Sequence, residues 1–150
     1  MRVKNLLVVL LLFVSIFIAG CSASELKTLE ENWEIKIPKD ATLKYMNKTP
    51  TNKQLYVRYL VFEFPDEPTE FLENFSKRIN FFIQLEAENH YDRLEIPEDK
   101  KPDWESSYYF RKLTKNKLPN SEEYNDVLIM AYFLETKELI ISEMSYNKLS

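Results

Sequence analysis

The stretch that decides the fold is Gln54-Leu-Tyr-Val-Arg-Tyr-Leu-Val-Phe-Glu-Phe64, followed at once by Pro65-Asp-Glu-Pro68. Hydrophobic side chains occupy both alternating faces of the first segment, a pattern typical of a central β-strand covered on at least one side. Pro68 and the acidic residues before it favour a helix start, because proline lacks an N–H and carboxylates stabilise the positive end of the helix dipole. The sequence therefore predicts a strand that leads directly into a helix.

The segment after Pro68 carries apolar residues at helical spacing. They recur with a period of 3.6 residues at Phe71, Phe75, Ile79, Phe82 and Ile83. This stripe predicts one long amphipathic helix over about residues 67–89, with its apolar side against a sheet.

Alternating polar and apolar segments on both sides of this unit predict the other strands, at 33–37, 42–46, 104–114, 124–134 and 138–146. The last two surround Glu135-Thr136-Lys137-Glu138, a short connection that indicates a β-hairpin. We expect an α+β fold with an antiparallel sheet of five to six strands and one helix packed on one face. The predicted order along the chain is β-β-β-α-β-β-β.

The N-terminus carries a different signal. Arg2 and Lys4 precede an apolar run that ends in Ile18-Ala19-Gly20-Cys21. As a helix, the fifteen residues from Leu6 to Gly20 reach roughly 22 Å, short of the ~30 Å hydrocarbon core of a bilayer. The length suits a secretory signal peptide. In these residues the chain resembles the type II signal peptide and lipobox of bacterial lipoproteins, with isoleucine where leucine is commonest.

The resemblance implies cleavage before Cys21, diacylglycerol on its sulfur and acylation of the new amine. Several acyl chains hold a protein stably on a membrane, whereas one is marginal. We therefore expect a protein anchored in the cell membrane on its extracytoplasmic face. The predicted organisation is a signal peptide over 1–20, a polar tether over 21–32 and a single domain over 33–150. The alternative is an uncleaved apolar anchor with an ordinary thiol at Cys21.

Composition limits what the mature segment can do. Without Arg2 and Lys4, eighteen basic residues face twenty-four acidic ones, a net charge of about −6. This charge argues against nucleic acid as a partner and against the domain lying flat on anionic lipid. The chain's one glycine is Gly20, which argues against phosphate-binding loops and nucleophile elbows. Turns are expected to use Asn, Asp and Pro.

Titratable residues give no pattern of catalysis, and no catalytic residue, metal ligand or cofactor is predicted. His90 is the only histidine, and it is interpreted as a polar residue near a helix C-terminus rather than as a general base or ligand. Paired carboxylates such as Glu98 and Asp99 are interpreted as solvated surface. A hydrolase that uses loop carboxylates, or a calcium site over 95–103, is the alternative, although the spacing is not that of an EF-hand.

Aromatic side chains are the candidate binding residues. A sheet with one helix leaves its other face open, and Tyr56, Trp104 and Tyr108 on such a face would stack on sugars or peptides. The alternative is that they belong to the core. The sequence thus favours a non-catalytic binding module of the cell envelope with a protein or polysaccharide partner. An inhibitor or immunity-type lipoprotein and an envelope hydrolase are the alternatives.

Overall fold

The computed structural model describes residues 24–50, 54–78, 80–118 and 124–146. The chain divides into two compact units, with the boundary between Ile37 and Pro38. The predicted signal peptide and Cys21 lie outside the described residues.

The first unit contains helix α1 (24–33). Glu34 follows in the left-handed region, with φ 53°, and the N–H of Ile35 donates to the carbonyl of Glu30 at 3.2 Å. A left-handed residue followed by this backward hydrogen bond is a Schellman ending, which satisfies a free carbonyl of the last turn. The strand predicted over 33–37 is therefore wrong, because this segment forms the end of a helix.

Within its described residues, the second unit contains a single antiparallel sheet of five strands. Along the chain they are β1 (Thr42–Lys48), β2 (Leu55–Glu63), β3 (Tyr108–Lys117), β4 (Tyr124–Phe133) and β5 (Glu138–Tyr146). Their spatial order is β1-β2-β5-β4-β3. The predicted α+β class with an antiparallel sheet is confirmed. The six-strand alternative and the order β-β-β-α-β-β-β are wrong, since only two strands precede the helices of this unit.

The long helix predicted over 67–89 is also wrong. Two helices replace it, α2 (Thr69–Leu72) and α3 (Phe81–Arg93). Between them, the backbone of Ser76 exchanges two hydrogen bonds with Phe110 of β3, at 2.7 and 2.9 Å. This bridge requires a locally extended chain, which no continuous helix provides. Asn80 then caps α3, its side chain accepting the N–H of Phe82 at 3.0 Å.

Helix α3 covers one face of the sheet. Ile83, Ala87 and Tyr91 are buried in one cluster with side chains from β2, β3, β4 and β5. The helix ends like α1: Glu95 has φ 51°, and the N–H of Ile96 donates to the carbonyl of Tyr91 at 3.1 Å. A short 3₁₀ helix, η1 (Glu98–Lys100), follows and leads toward β3.

Tight turns in this chain use unexpected residues. Among the described residues, positive φ occurs at Glu34, Glu95, Asn116 and Lys137. Only Asn116 is of a type that the sequence was expected to use. Lys137 lies in the predicted connection between β4 and β5, which is confirmed as a hairpin with Phe133 opposite Glu138. Both the helix endings and this hairpin therefore place long charged side chains at left-handed positions.

Candidate binding site

The structure does not bring the three predicted aromatic residues to one surface. Tyr108 is only 3% exposed, and its ring centroid lies 5.0 Å from that of Trp104 on the α3 side of the sheet. Tyr56 alternates with Val57 of that cluster and therefore points to the opposite face, where the Arg58 guanidinium lies 5.4 Å from its ring centroid. The half-buried Trp104 lines a cavity.

His90 lies in the last turn of α3, as expected, but it is completely buried. Its Nδ1 is hydrogen-bonded to Oγ of Ser142 at the centre of β5, and its Nε2 is buried without a hydrogen-bond partner among the described residues. Burial, with smaller contributions from the positive charges of Arg93 and Lys112, lowers the pKa of His90 to about 4. The imidazole is therefore neutral at physiological pH and holds α3 on the sheet.

An ion pair on the other face of the sheet was not foreseen from the sequence. Arg58 of β2 and Glu143 of β5 lie opposite each other in the sheet register. Nε and Nη2 of Arg58 donate to the same carboxylate oxygen at 2.9 and 2.5 Å, and the two side chains are 2% and 3% exposed. The only signal in the sequence was a basic residue inside an otherwise apolar strand.

A concave surface that bears charged groups lies around the segment after α3. One cavity of about 270 Å³ is lined by Glu88, Tyr91, Asp92, Glu98, Lys101, Pro102 and Trp104. We call this cavity the 98–104 cleft. Residues of α3 form one wall, η1 and the chain beyond it form the other, and Trp104 contributes an aromatic ring.

A second cavity of about 220 Å³ adjoins the cleft at Lys101. It is lined by Lys44, Tyr45, Val61, Asp99, Lys100, Glu138 and Ile140 in addition to Lys101. Here the positive and negative side chains largely neutralise one another: Nζ of Lys100 lies 2.9 Å from the Asp99 carboxylate. Of these two cavities, the 98–104 cleft therefore has the larger excess of one charge sign.

Buried aromatic side chains hold the cleft in place. The hydroxyl of Tyr59 donates to the carbonyl of Lys100 at 2.6 Å, which ties η1 to the sheet. The Tyr59 and Tyr91 ring centroids are 4.9 Å apart in an edge-to-face contact. Trp104 makes a similar contact with Phe133 at 5.3 Å. Because these rings are fixed by packing, the cleft is largely preformed.

The cleft is negative overall. Nζ of Lys101 lies 2.5 Å from the carboxylate of Glu98 and 3.9 Å from that of Asp92. The hydrogen bond that Nζ of Lys101 donates to Glu98 raises the pKa of Lys101, so the ammonium stays charged. With Glu88 also in the wall, three carboxylates face one cation beside Trp104 and Tyr91. Carboxylates near an aromatic ring are suited to bind an amine or guanidinium.

The carboxylates do not form a metal centre. Among the residues that the structure describes, no three His, Cys, Asp or Glu side chains are grouped so that they could hold a metal ion. The calcium site considered over 95–103 has no such group within the described ranges. The described residues of the cleft therefore offer a ligand carboxylate charge and the aromatic ring of Trp104.

Trp104 was predicted from the sequence as a binding residue, but the cleft that it lines was not predicted. Glu88 and Asp92 lie four residues apart on α3, a spacing that puts both on one side of a helix. Glu98 and Lys101 approach them because α3 ends at Arg93 and the chain turns back at Glu95. That reversal depends on a left-handed glutamate, which sequence patterns do not predict.

Comparison with protein-family models, curated proteins and solved structures gives no match to this chain. In the stretches 24–50, 54–78, 80–118 and 124–146, every helix is too short or too polar to cross a membrane.

Proposed function

We propose that this chain is a lipid-anchored, extracytoplasmic binding module whose 98–104 cleft takes a positively charged group of a partner. The lipobox residues Ile18-Ala19-Gly20-Cys21 support the anchor. The observation that carries the binding function is the convergence of Glu88, Asp92 and Glu98 beside Trp104.

The size of the cleft narrows the ligand class. At about 270 Å³ it is slightly smaller than the pockets of ~300 Å³ and more that enclose small-molecule ligands. It is suited to one lysine- or arginine-like group on a larger partner. The partner is therefore an extracytoplasmic protein, or an envelope polymer that carries free amino groups.

Fluorescence of the two tryptophans tests the cleft. Titration with an oligolysine peptide should change the emission, and an oligoglutamate peptide should not. Glu98→Gln should weaken oligolysine binding about twofold to fivefold, because one exposed charge contributes a fraction of a kcal/mol up to about 1 kcal/mol. Glu105→Gln, an exposed carboxylate outside the cleft lining, is the matched control. Equal binding by both variants would refute the cleft as the recognition site.

Replacement of the anchor cysteine tests the location. Cys21→Ala should remove lipid labelling and release the protein from the membrane fraction, while Ser22→Ala should leave both unchanged. Continued lipid labelling of Cys21→Ala would contradict the anchor.

A second candidate function, an inhibitor or immunity-type lipoprotein, is favoured by the exposure of the acidic 3₁₀ segment. The side chains of Glu98 and Asp99 are 87% and 71% exposed, so they are available to enter a basic site on another protein. Crosslinking on intact cells discriminates the two: this function requires a captured enzyme or toxin whose activity falls in proportion to bound protein. If the captured partner keeps its full activity, the inhibitor function is refuted and the binding-module function remains.

A further inference from the structure

Helix α3 exposes large apolar side chains on its outer side. Phe81, Phe82 and Leu85 are 61%, 80% and 46% exposed, while Ile83 and Ala87 of the same helix are buried against the sheet. Phe81 and Leu85 are four residues apart and therefore neighbours on the helix surface. We call these three residues the aromatic patch. It is an exposed cluster of a kind that marks interaction surfaces.

The charged residues just before the aromatic patch in the chain are positive, and the carboxylate of Glu88, three residues after Leu85, accepts a hydrogen bond from Gln84. Lys77 and Arg78 are exposed and lie just before the helix; the ammonium of Lys77 is 5.0 Å from the ring centroid of Tyr109. Glu86, the carboxylate nearest to the patch along the helix, is bound by Nζ of Lys112 at 2.6 and 2.9 Å. An apolar surface with exposed cations beside it is complementary to an anionic bilayer surface.

The area of the aromatic patch is too small for a stable protein interface. An aromatic side chain buries about 150–250 Å², so the exposed portions of the three residues amount to on the order of 300 Å². Specific protein–protein interfaces bury about 800 Å² on each partner. A lipid surface needs no such minimum area, because insertion of a few side chains adds to an existing anchor.

The proposed anchor keeps the domain near lipid. Seventeen residues connect Cys21 to Pro38, the first residue of the second unit, and ten of the positions between them are helical. With about 1.5 Å per helical residue and about 3.4 Å per extended one, this connection spans at most about 40 Å. Tethering over that distance gives the patch a high effective concentration at the bilayer.

We propose that Phe81, Phe82 and Leu85 dock the domain on the anionic surface of the bilayer that holds Cys21, an inference that rests on the proposed lipid anchor. The net charge of about −6 repels the anionic bilayer, but this repulsion opposes docking only at long range. Salt screens charges beyond about 10 Å, so distant carboxylates oppose docking less than the exposed cations Lys77 and Arg78, just before Phe81 in the chain, favour it.

The test uses the mature, lipidated protein in phosphatidylglycerol vesicles. Because the proposed thioether occupies the chain's only cysteine, an environment-sensitive dye attaches solely to a cysteine introduced by Leu85→Cys. Thr136→Cys, in the exposed turn between β4 and β5, is the matched control. A nitroxide-bearing lipid should quench the dye at position 85 at least about twofold more than at position 136. Adding Lys77→Glu and Arg78→Glu, or using phosphatidylcholine vesicles, should abolish the difference.

Each other outcome overturns the proposal in a distinguishable way. Equal quenching at both positions, with the protein still floating with the vesicles, refutes the patch and leaves the anchor intact. A blue shift at position 85 that grows with protein density without lipid quenching shows that a second copy covers the patch. Failure of the protein to float, with dye incorporated at Cys21, removes the anchor and the docking proposal together.

Discussion

The buried His90 should make the stability of the domain depend on pH in a defined direction. Its pKa is about 4 in the folded protein against an ordinary value of 6.5. Between these values the unfolded chain binds a proton that the folded protein excludes, so the free energy of unfolding rises with pH. The contribution is complete above about pH 6.5 and is lost as the pH falls toward 4.

The magnitude follows from the same two pKa values. Proton linkage gives a loss of about 2 kcal/mol between pH 7 and pH 5, and about 3 kcal/mol once the pH is below both values. His90→Gln keeps a polar side chain of similar size and removes this titration. The difference in free energy of unfolding between wild type and His90→Gln should therefore change by about 2 kcal/mol over that pH range.

Urea unfolding followed by circular dichroism measures this difference at each pH. Subtracting the variant from the wild type removes the carboxylate titrations that both proteins share. Asn89→Gln, on the exposed side of the same helix, is the control and should reproduce the wild-type pH slope. A difference between wild type and His90→Gln that stays constant from pH 7 to pH 5 would refute a buried neutral imidazole.

Three further changes test the fold. Glu143→Leu removes the buried carboxylate that accepts from Nε and Nη2 of Arg58 and should lower the free energy of unfolding by about 3–5 kcal/mol. Adding Arg58→Met should recover most of that loss in urea titrations, and additive losses would contradict the pairing. Glu95→Gly should raise the stability by up to about 1 kcal/mol because glycine is unstrained at positive φ, whereas Glu95→Ala should not; absence of a gain in thermal melting would speak against the left-handed helix ending. Asn80→Ala should lower the free energy of unfolding by about 1 kcal/mol, and Asn80→Gly should lower it by only a few tenths. Equal effects of the two substitutions in thermal melting would exclude Asn80 as the N-cap.

Sequence patterns predicted the sheet better than the helices. The hydrophobic segment around Val57 and Tyr59 and the hairpin at Lys137 were both confirmed, because alternation and a short connection are local signals. The helical stripe continued across Ser76 without a break in pattern. It failed because Ser76 bonds to Phe110, more than thirty residues away, and local spacing carries no information about that contact. Asparagine is a preferred N-cap residue, so Asn80 does indicate a new helix start within that stripe.

The candidate site was harder to foresee for the same reason. Trp104 lines the cleft, yet Tyr108, another aromatic residue predicted for the binding surface, lies in the core. The groups that form the cleft meet only because α3 ends at Arg93 and the chain reverses at Glu95. Charges such as Glu98 look like ordinary solvated surface until their neighbours in space are known.

The mass of the N-terminal peptide tests the proposed processing and lipidation at Cys21 most directly. Trypsin digestion of protein purified from the membrane fraction should yield a peptide that begins at Cys21, ends at Lys27 and carries the added mass of diacylglycerol. A peptide that runs from Asn5 to Lys27 with an unmodified cysteine would contradict both the cleavage and the anchor.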